Sequence, residues 1–185
     1  IDLHNTAIIG DHNKLNILLA LEVADIFKIS KANALSCLST FKPLAHRLEK
    51  VAEIHDVTYI DDAISTTPES TLAALQAVKN IDCLMLGGLD RGYDFTELAA
   101  EIAKQSIRSI VLFPDSGEAI AALFPPTFSP LILRASSMKD AVAFASKNAR
   151  PGSTVLLSCA SPSYSLWKDF EAKGDDFKQQ VLQLL

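Results

Sequence analysis

Short apolar runs alternate with helix-like stretches along most of the chain, from about Leu48 onwards. The runs CLMLGG, SIVLF and TVLLS are continuous rather than alternating, which is typical of strands buried on both faces of a sheet. Apolar residues at helical spacing separate these runs, over residues 68–78, 94–105, 117–123, 137–149 and 170–184. This alternation predicts an α/β fold in which helices cover both faces of a mostly parallel sheet.

The first two predicted strands, LEKVAEIH and VTYID, are joined only by His55 and Asp56. A connection this short suits a β-hairpin, because a crossover between parallel strands needs a much longer segment. One edge of the sheet is therefore expected to be antiparallel.

Two helical segments precede the sheet, over residues 12–27 and 31–40. The first has apolar residues at helical spacing, and the second follows a serine, a residue type that caps helix N-termini. Pro43 ends the helical pattern, because proline disrupts a helix interior. The domain boundary is accordingly predicted near this proline, with a helical segment at 1–43 and the α/β domain at 44–185.

Composition narrows the function classes. Apolar residues make up 49% of the 185 residues, enough to bury a core, and the net charge of −5 comes without any block of lysine or arginine. We therefore expect no nucleic-acid binding, which needs a basic surface, and no membrane span, which needs an apolar run of roughly 20 residues. The three cysteines are far apart and show no CxxC spacing, which indicates reduced thiols in a cytoplasmic protein. We also expect a monomer. The chain starts with isoleucine, so we expect it to be the C-terminal piece of something longer.

Candidate chemistry follows the apolar runs. Ligands of an open α/β sheet bind at the carboxyl ends of its strands, so residues just after each run are the informative ones. These residues offer carboxylates, hydroxyls, one guanidinium and several helix N-termini, and they are Asp61 to Thr67, Gly87 to Gly92, Pro114 to Gly117 and Ser158 to Ser165. All are predicted to lie on one edge of the sheet.

The segment YIDDAISTTPEST allows two interpretations. Thr67 is a good N-cap and Pro68 suits the first helical position, so the segment could simply cap a helix. Capping does not require Asp61 and Asp62, two adjacent like charges at a strand end, and these favour a ligand site in addition to the cap. Arg91 also allows two interpretations: it could be a solvated surface arginine, or it could donate two hydrogen bonds to a carboxylate or phosphate.

Several well-known motifs are absent from the sequence. It contains no G-x-x-x-x-G-K-[ST] phosphate loop, no G-x-G-x-x-G dinucleotide fingerprint and no G-x-S-x-G nucleophile elbow. His46, between an alanine and Arg47, is interpreted as a structural or surface histidine and not as a base.

Five collinear segments between residues 9 and 184 resemble those of the Mur ligases. The first three look like the family patterns G-x-H-N-x-x-N-x-x-A-A, F-x-x-x-x-H-R-x-E and N-D-S-K-A-T-N, and they read GDHNKLNILLALEVA, STFKPLAHRLEKV and YIDDAISTTPESTLAAL. The fourth, LMLGGLDRGYDFTEL, resembles a glycine-rich turn with a basic residue, and the fifth, TVLLSCASPSYSLWKDFEAKGDDF, resembles a segment that contains F-x-x-R-G-x-x-F. The last two fit best with the glutamate-adding members of the family.

The resemblance implies an ATP- and Mg²⁺-dependent enzyme of three domains. ATP phosphorylates the carboxylate of UDP-N-acetylmuramoyl-alanine, and the amine of glutamate attacks the resulting acyl phosphate. By this resemblance, residues 1–43 are the end of the central ATP-binding domain and residues 44–185 are the Rossmann-like, amino-acid-binding domain. The resemblance implies that Mg²⁺ is held mainly by the central domain, and no residue of this chain is assigned as catalytic or as a metal ligand. Because the chain lacks the phosphate loop and the UDP-binding domain, the piece alone is expected to be inactive.

Site residues are transferred position by position from the resemblance. Those matching nucleotide-binding positions are Asn13, Asn16, Arg47 and Asp62. Those matching positions around the glutamate are Thr66, Arg91, Ser163, Tyr164 and Phe170, with a family lysine replaced by Arg91.

Departures from the family pattern leave alternatives open. Ile64 stands where many members have lysine, and Asp61 replaces an asparagine and receives no role. A lysine-free form, D-D-S-I-A-T-T-P, occurs in some glutamate ligases of the family, some of them associated with L-glutamate, so the glutamate chirality stays open. A folylpolyglutamate-synthase-like ligase or another Mur-type ligase is the runner-up. In other classes, a non-catalytic Rossmann-like interaction module stays possible, whereas a signalling receiver domain is disfavoured, because Gly87-Gly88 and Ser158-Cys159 replace its required aspartate and lysine.

Overall fold

The computed structural model describes residues 12–185 and divides the chain into two compact units, with the boundary between Ala45 and His46. The first unit contains helices α1 (His12–Ile26) and α2 (Lys31–Thr40), as predicted. The Ser30 hydroxyl caps α2 by accepting a hydrogen bond from the Asn33 backbone N–H at 3.3 Å. Gly10 and Asp11, at the start of the first family-like segment, lie outside the described residues.

The second unit is a six-stranded sheet surrounded by helices. Its strands are β1 (Glu49–Ile54), β2 (Val57–Asp61), β3 (Ile81–Gly87), β4 (Ser109–Phe113), β5 (Leu131–Arg134) and β6 (Ser153–Leu157). Its helices are α3 (Pro68–Ala77), α4 (Thr96–Lys104), α5 (Ser116–Ala121), α6 (Met138–Asn148) and α7 (Phe170–Leu182). The strand order is β1-β2-β6-β3-β4-β5, and every pair is parallel except β1 with β2. The predicted α/β class and the antiparallel edge strand are both confirmed.

The β1–β2 hairpin turns at His55 and Asp56, as predicted. Both residues have positive φ angles, 51° and 62°. A two-residue turn of this kind matches the twist of the flanking strands. Since the hairpin pairs Glu49 with Asp61, the start of β1 lies beside the end of β2.

Helices cover both faces of the sheet. On one face, Met138 of α6 and Phe177 of α7 pack into a cluster with Met85 of β3. Strand alternation directs Leu112 to the opposite face, where it lies against Gly117 of α5. Each large apolar side chain buried in these layers contributes about 1.5–3 kcal/mol of stabilisation.

Across the described residues, every helix is too short or too polar to serve as a transmembrane segment. All three cysteines are free thiols; Cys83 and Cys159 are buried, whereas Cys37 is exposed.

Candidate functional site

The loops that follow β2, β3, β4 and β6 meet at the carboxyl edge of the sheet, together with the start of β1. We call this edge the carboxyl rim and define it as residues 46–48, 61–67, 87–92, 114–117 and 158–165. Backbone hydrogen bonds join its loops: Ala160 N–H donates to Ser65 O at 3.0 Å and Gly87 N–H donates to Cys159 O at 2.8 Å. The segments singled out from the sequence therefore form one continuous surface.

Two glycines let these loops approach closely. A β-carbon at Gly87 would lie 2.2 Å from the Phe113 carbonyl oxygen, and one at Gly88 would lie 2.1 Å from that of Pro162. Real β-carbons do not approach backbone oxygens so closely, so a larger residue at Gly87 would push β4 away, and one at Gly88 would force the β3 and β6 loops apart. The Gly-Gly pair is thus explained by backbone packing at the rim.

Asp62 is only 2% exposed and is fully engaged inside the rim. One carboxylate oxygen accepts from the Ser158 hydroxyl at 2.7 Å, and the other accepts from the Leu48 backbone N–H at 3.2 Å. Burial raises the pKa of Asp62 to about 6, because these hydrogen bonds only partly offset the loss of solvation and the neighbouring Asp61 adds repulsion.

Asp61 is bound to His46. Its Oδ2 lies 2.7 Å from His46 Nδ1, and its Oδ1 accepts from the Ala63 backbone N–H at 3.0 Å. Burial raises the pKa of Asp61, and the bond to His46 opposes this shift. The interpretation of His46 as a structural histidine agrees with its 5% exposure, but sequence reasoning missed its partnership with Asp61.

The hydroxyl tract after β2 caps α3, as predicted. The Thr67 hydroxyl accepts from the Ser70 backbone N–H at 3.4 Å, and the Ser70 hydroxyl accepts from the Thr67 N–H at 3.2 Å. Pro68 opens the helix, where its missing N–H is not needed. Thr66 lies half-buried just before the cap.

Arg91 and Tyr164, taken from different loops, are brought together. Both are exposed, and the Arg91 guanidinium lies 6.0 Å from the centroid of the Tyr164 ring. Asp90 shapes the turn that carries Arg91, because its carboxylate accepts from the Gly92 N–H at 2.8 Å. A guanidinium near the face of an aromatic ring can still donate its N–H groups to an anion.

Ser163 is buried and its hydroxyl has no hydrogen-bond partner, a condition it shares only with Ser153 in the described part of the chain. Buried polar atoms are nearly always paired, so an unpaired one marks a position for a ligand or water. Phe170, at the start of α7, meets the ring of His46 edge-on at 6.2 Å.

The predicted nucleotide-binding residues are divided between the two units. Asn13 and Asn16 belong to α1, where Asn16 Nδ2 donates to Asn13 Oδ1 at 3.0 Å. Arg47 and Asp62 belong to the rim, and the side chain of Arg47 is exposed. The five residues predicted around the glutamate also lie in the second unit, so that unit holds seven of the nine predicted site residues.

Lys173 was missed by the sequence reasoning. This fully buried lysine donates from Nζ to the Gly87 carbonyl oxygen at 3.1 Å. Its ammonium also lies 5.1 Å from the centroid of the Trp167 ring and 5.6 Å from that of Phe113. The available signal was Gly174, because glycine inside a helix is unfavourable by about 1 kcal/mol and indicates close packing.

One group in the described residues has metal-ligand spacing. The ligand atoms of His46, Glu49 and Asp61 lie within 4.8 Å of one another. Glu49 is already engaged, because it accepts from Lys178 Nζ at 2.7 Å and from the His46 backbone N–H at 2.9 Å. Mg²⁺ prefers oxygen ligands and several waters, so this interlocked set with an imidazole does not fit it.

A family match and two curated relatives of this chain both point to ligases that act with glutamate. The family described as Mur ligase, glutamate ligase domain, matches residues 46–161. The UDP-N-acetylmuramoylalanine--D-glutamate ligase of Bacteroides thetaiotaomicron is 38% identical over 178 residues, which are 96% of this chain and 40% of the relative. The enzyme of the same name from Pelotomaculum thermopropionicum is 38% identical over 175 residues, 95% of this chain and 38% of the relative. The chain thus spans about 40% of the length of these relatives.

Solved structures share the fold at low identity. A pseudomurein peptide ligase type C from Methanothermus fervidus superposes with a TM-score of 0.70 at 16% identity, over 97% of this chain and 37% of its own. A Mycobacterium tuberculosis folylpolyglutamate synthase, complexed with ADP and AMPPCP, reaches a TM-score of 0.64 at 18% identity, over 96% of this chain and 41% of its own. Since the family match covers more than half of the sequence and agrees with the fold, the chain belongs to the Mur ligase family.

Proposed function

We propose that this chain is the C-terminal part of an ATP-dependent ligase that joins glutamate to UDP-N-acetylmuramoyl-L-alanine in peptidoglycan precursor synthesis. The names of the relatives at 38% identity support this substrate pair. Because the chain spans about 40% of their length, the activity is that of the longer protein. Residues 1–43 would end the central ATP-binding domain, and residues 44–185 would form the amino-acid-binding domain.

The reaction joins a carboxylate to an amine. ATP transfers its terminal phosphoryl group to the muramoyl-alanine carboxylate, and the glutamate amine displaces phosphate from the acyl phosphate. The amino-acid-binding domain would hold glutamate so that its amine is aligned with the acyl carbon. Amine and acyl phosphate then react within one complex, in the correct orientation, and do not have to meet by diffusion. Mg²⁺ would neutralise charge on the phosphoryl group while held mainly by the central domain.

The unpaired hydroxyl of Ser163 is the observation that carries the glutamate site. Glutamate has two carboxylates, each an acceptor for such a donor. Tyr164 follows Ser163 directly and carries the Arg91 guanidinium over its ring, so a second, forked donor is close in the fold. Thr66 and Phe170 would complete this site.

Nucleotide contacts are proposed for four residues. Arg47 presents an exposed guanidinium suited to phosphate, and Asp62 lies at the same rim. Asn13 and Asn16 of α1 would approach the adenine side. No nucleic acid or membrane partner is proposed, and the protein would act as a cytoplasmic monomer.

Steady-state kinetics of the longer protein test this proposal. Replacing Arg91 by alanine removes one charge-assisted contact, and we expect the KM for glutamate to rise roughly tenfold or more while the KM for ATP changes less than twofold. Arg108→Ala is the matched control, because Arg108 is an exposed arginine at the opposite edge of the sheet. Equal effects of Arg91→Ala on both KM values would refute its assignment.

A folylpolyglutamate-synthase-like activity is the alternative, supported by the fold shared with the M. tuberculosis enzyme. Both candidates add glutamate, so the acceptor discriminates between them. Product formation with a pteroyl acceptor, and none with UDP-N-acetylmuramoyl-L-alanine, would decide for the alternative. Running the same assay with D- and L-glutamate separately assigns the chirality, for which the relatives' names favour the D form.

A further inference from the structure

Arg47 lies in a short segment with an uncommon backbone conformation. Its neighbours His46 and Leu48 have φ angles of 62° and 48°. Residues other than glycine seldom adopt positive φ, because the β-carbon then crowds the backbone. This conformation therefore persists only if the surroundings hold it.

The two adjacent aspartates hold this segment from both sides of Arg47. Asp61 Oδ2 lies 2.7 Å from the Nδ1 atom of His46. Asp62 Oδ1 accepts from the Leu48 backbone N–H at 3.2 Å. Asp61 and Asp62 are consecutive residues at the end of β2. Their contacts on either side of Arg47 therefore fix the backbone of Arg47 and the direction in which its side chain projects.

Helix α7 completes the enclosure of His46. A β-carbon at Gly174 would lie 2.1 Å from His46 Nδ1 and 2.7 Å from Asp61 Oδ2, so only glycine leaves room for this pair. Asp175 of the same helix places a carboxylate oxygen 3.7 Å from His46 Nε2. The imidazole is thus confined by β2, α7 and its own backbone.

We infer that Asp61 is a positioning residue that, through His46, orients Arg47 towards the nucleotide. This role rests on the proposed function, in which Arg47 binds nucleotide phosphates. It assigns a use to the aspartate that departs from the family's asparagine. An asparagine carbonyl could accept the same hydrogen bond from Nδ1–H, so Asp61→Asn retains the contact to His46 and gives up only the bond from the Ala63 backbone N–H.

The test is a double-mutant cycle in the longer protein, with KM for ATP and KM for glutamate as separate readouts. Asp61→Ala is expected to raise the KM for ATP roughly tenfold and to change the KM for glutamate less than twofold. Arg47→Ala is expected to raise the KM for ATP at least as much. The Asp61→Ala/Arg47→Ala double variant should resemble Arg47→Ala alone, because Asp61 acts through Arg47.

Two controls separate positioning from general stability. In the Asp61→Asn variant, the KM for ATP should stay within about twofold of that of the unsubstituted protein. Asp82→Ala removes an equally buried carboxylate, which is bound to Arg150 at 2.7 Å, and should lower thermal stability while leaving both KM values unchanged. If Asp61→Ala does not fold, His46→Ala removes the other residue of the pair. It should likewise raise the KM for ATP and leave the KM for glutamate nearly unchanged.

The outcomes distinguish this inference from the proposed function. If Arg47→Ala raises the KM for ATP but Asp61→Ala does not, or if the two effects simply add, the positioning role is wrong and the nucleotide site stands. If Arg47→Ala leaves the KM for ATP unchanged, the nucleotide role of Arg47 fails, and the inference fails with it.

Discussion

The buried carboxylate of Asp62 should make the second unit less stable as the pH rises. The pKa of Asp62 is about 6 in the folded chain, against 3.8 for the free side chain. Between these two values the folded state binds more protons than the unfolded state, so the free energy of unfolding falls with increasing pH. The difference of about two pKa units, at 1.36 kcal/mol each, corresponds to about 3 kcal/mol in full. About 2.5 kcal/mol of this is lost between pH 4 and pH 7.5, because the carboxyl of the unfolded chain is already more than half ionised at pH 4.

Asp62→Asn removes this titration with little change of shape. The amide oxygen can still accept from Leu48 N–H, and the amide nitrogen can donate to the Ser158 hydroxyl. We therefore expect the free energy of unfolding of Asp62→Asn, relative to that of the unsubstituted chain, to increase by about 2.5 kcal/mol from pH 4 to pH 7.5. If Asp62 binds nucleotide, the same substitution also impairs the longer enzyme.

Urea denaturation at several pH values measures this difference. The single tryptophan, Trp167, is the reporter, because it lies in the second unit with its ring 5.2 Å from that of Phe113. Ser158→Ala is an informative companion: it removes a hydrogen bond that favours the charged form of Asp62, so stability should fall more steeply with pH. A pH-independent difference between Asp62→Asn and the unsubstituted chain would refute the reasoning.

Three further predictions follow from packing and from domain content. Gly174→Ala should lower the free energy of unfolding by about 1–3 kcal/mol, because the added β-carbon overlaps His46. The control Gln179→Ala changes an exposed residue of the same helix and should leave the free energy of unfolding nearly unchanged, so equal effects of the two substitutions would contradict this reasoning. In native buffer a thiol reagent should label Cys37 and leave Cys83, whose pKa is raised to about 12 by burial; labelling of both would show a looser core. The purified chain should release no phosphate from ATP, and measurable release would disprove its proposed inactivity.

Much of the fold could be predicted from local patterns. Continuous apolar runs indicated strands buried on both faces, and β3, β4 and β6 are buried at every position. The short link at His55 and Asp56 indicated a hairpin, and Thr67 with Pro68 indicated a helix start. Such features depend on neighbouring residues only, because backbone sterics, capping and the two-residue alternation of strands act over a few positions.

The candidate site was predictable as an edge of the sheet but not as a set of contacts. The residues after the apolar runs do converge at the carboxyl rim. However, the bond from Asp61 to His46, the burial of Lys173 and the unpaired Ser163 hydroxyl were not visible in the sequence. These properties depend on which side chains share a low-dielectric interior, and only the packing of α7 and the β6 loop decides that.

The sequence by itself determined where strands, helices and turns begin, and that polar residues follow the strands. Only the tertiary structure decided which of those polar residues meet. The strand order inserts β6 between β2 and β3, and this brings Ser158 within 2.7 Å of Asp62, 96 positions away in sequence. Strand order is set by the burial of apolar faces across the whole sheet, and a local sequence pattern does not contain that information. The adjacent aspartates have different partners, Ser158 and His46, because of that order and because α7 packs over His46.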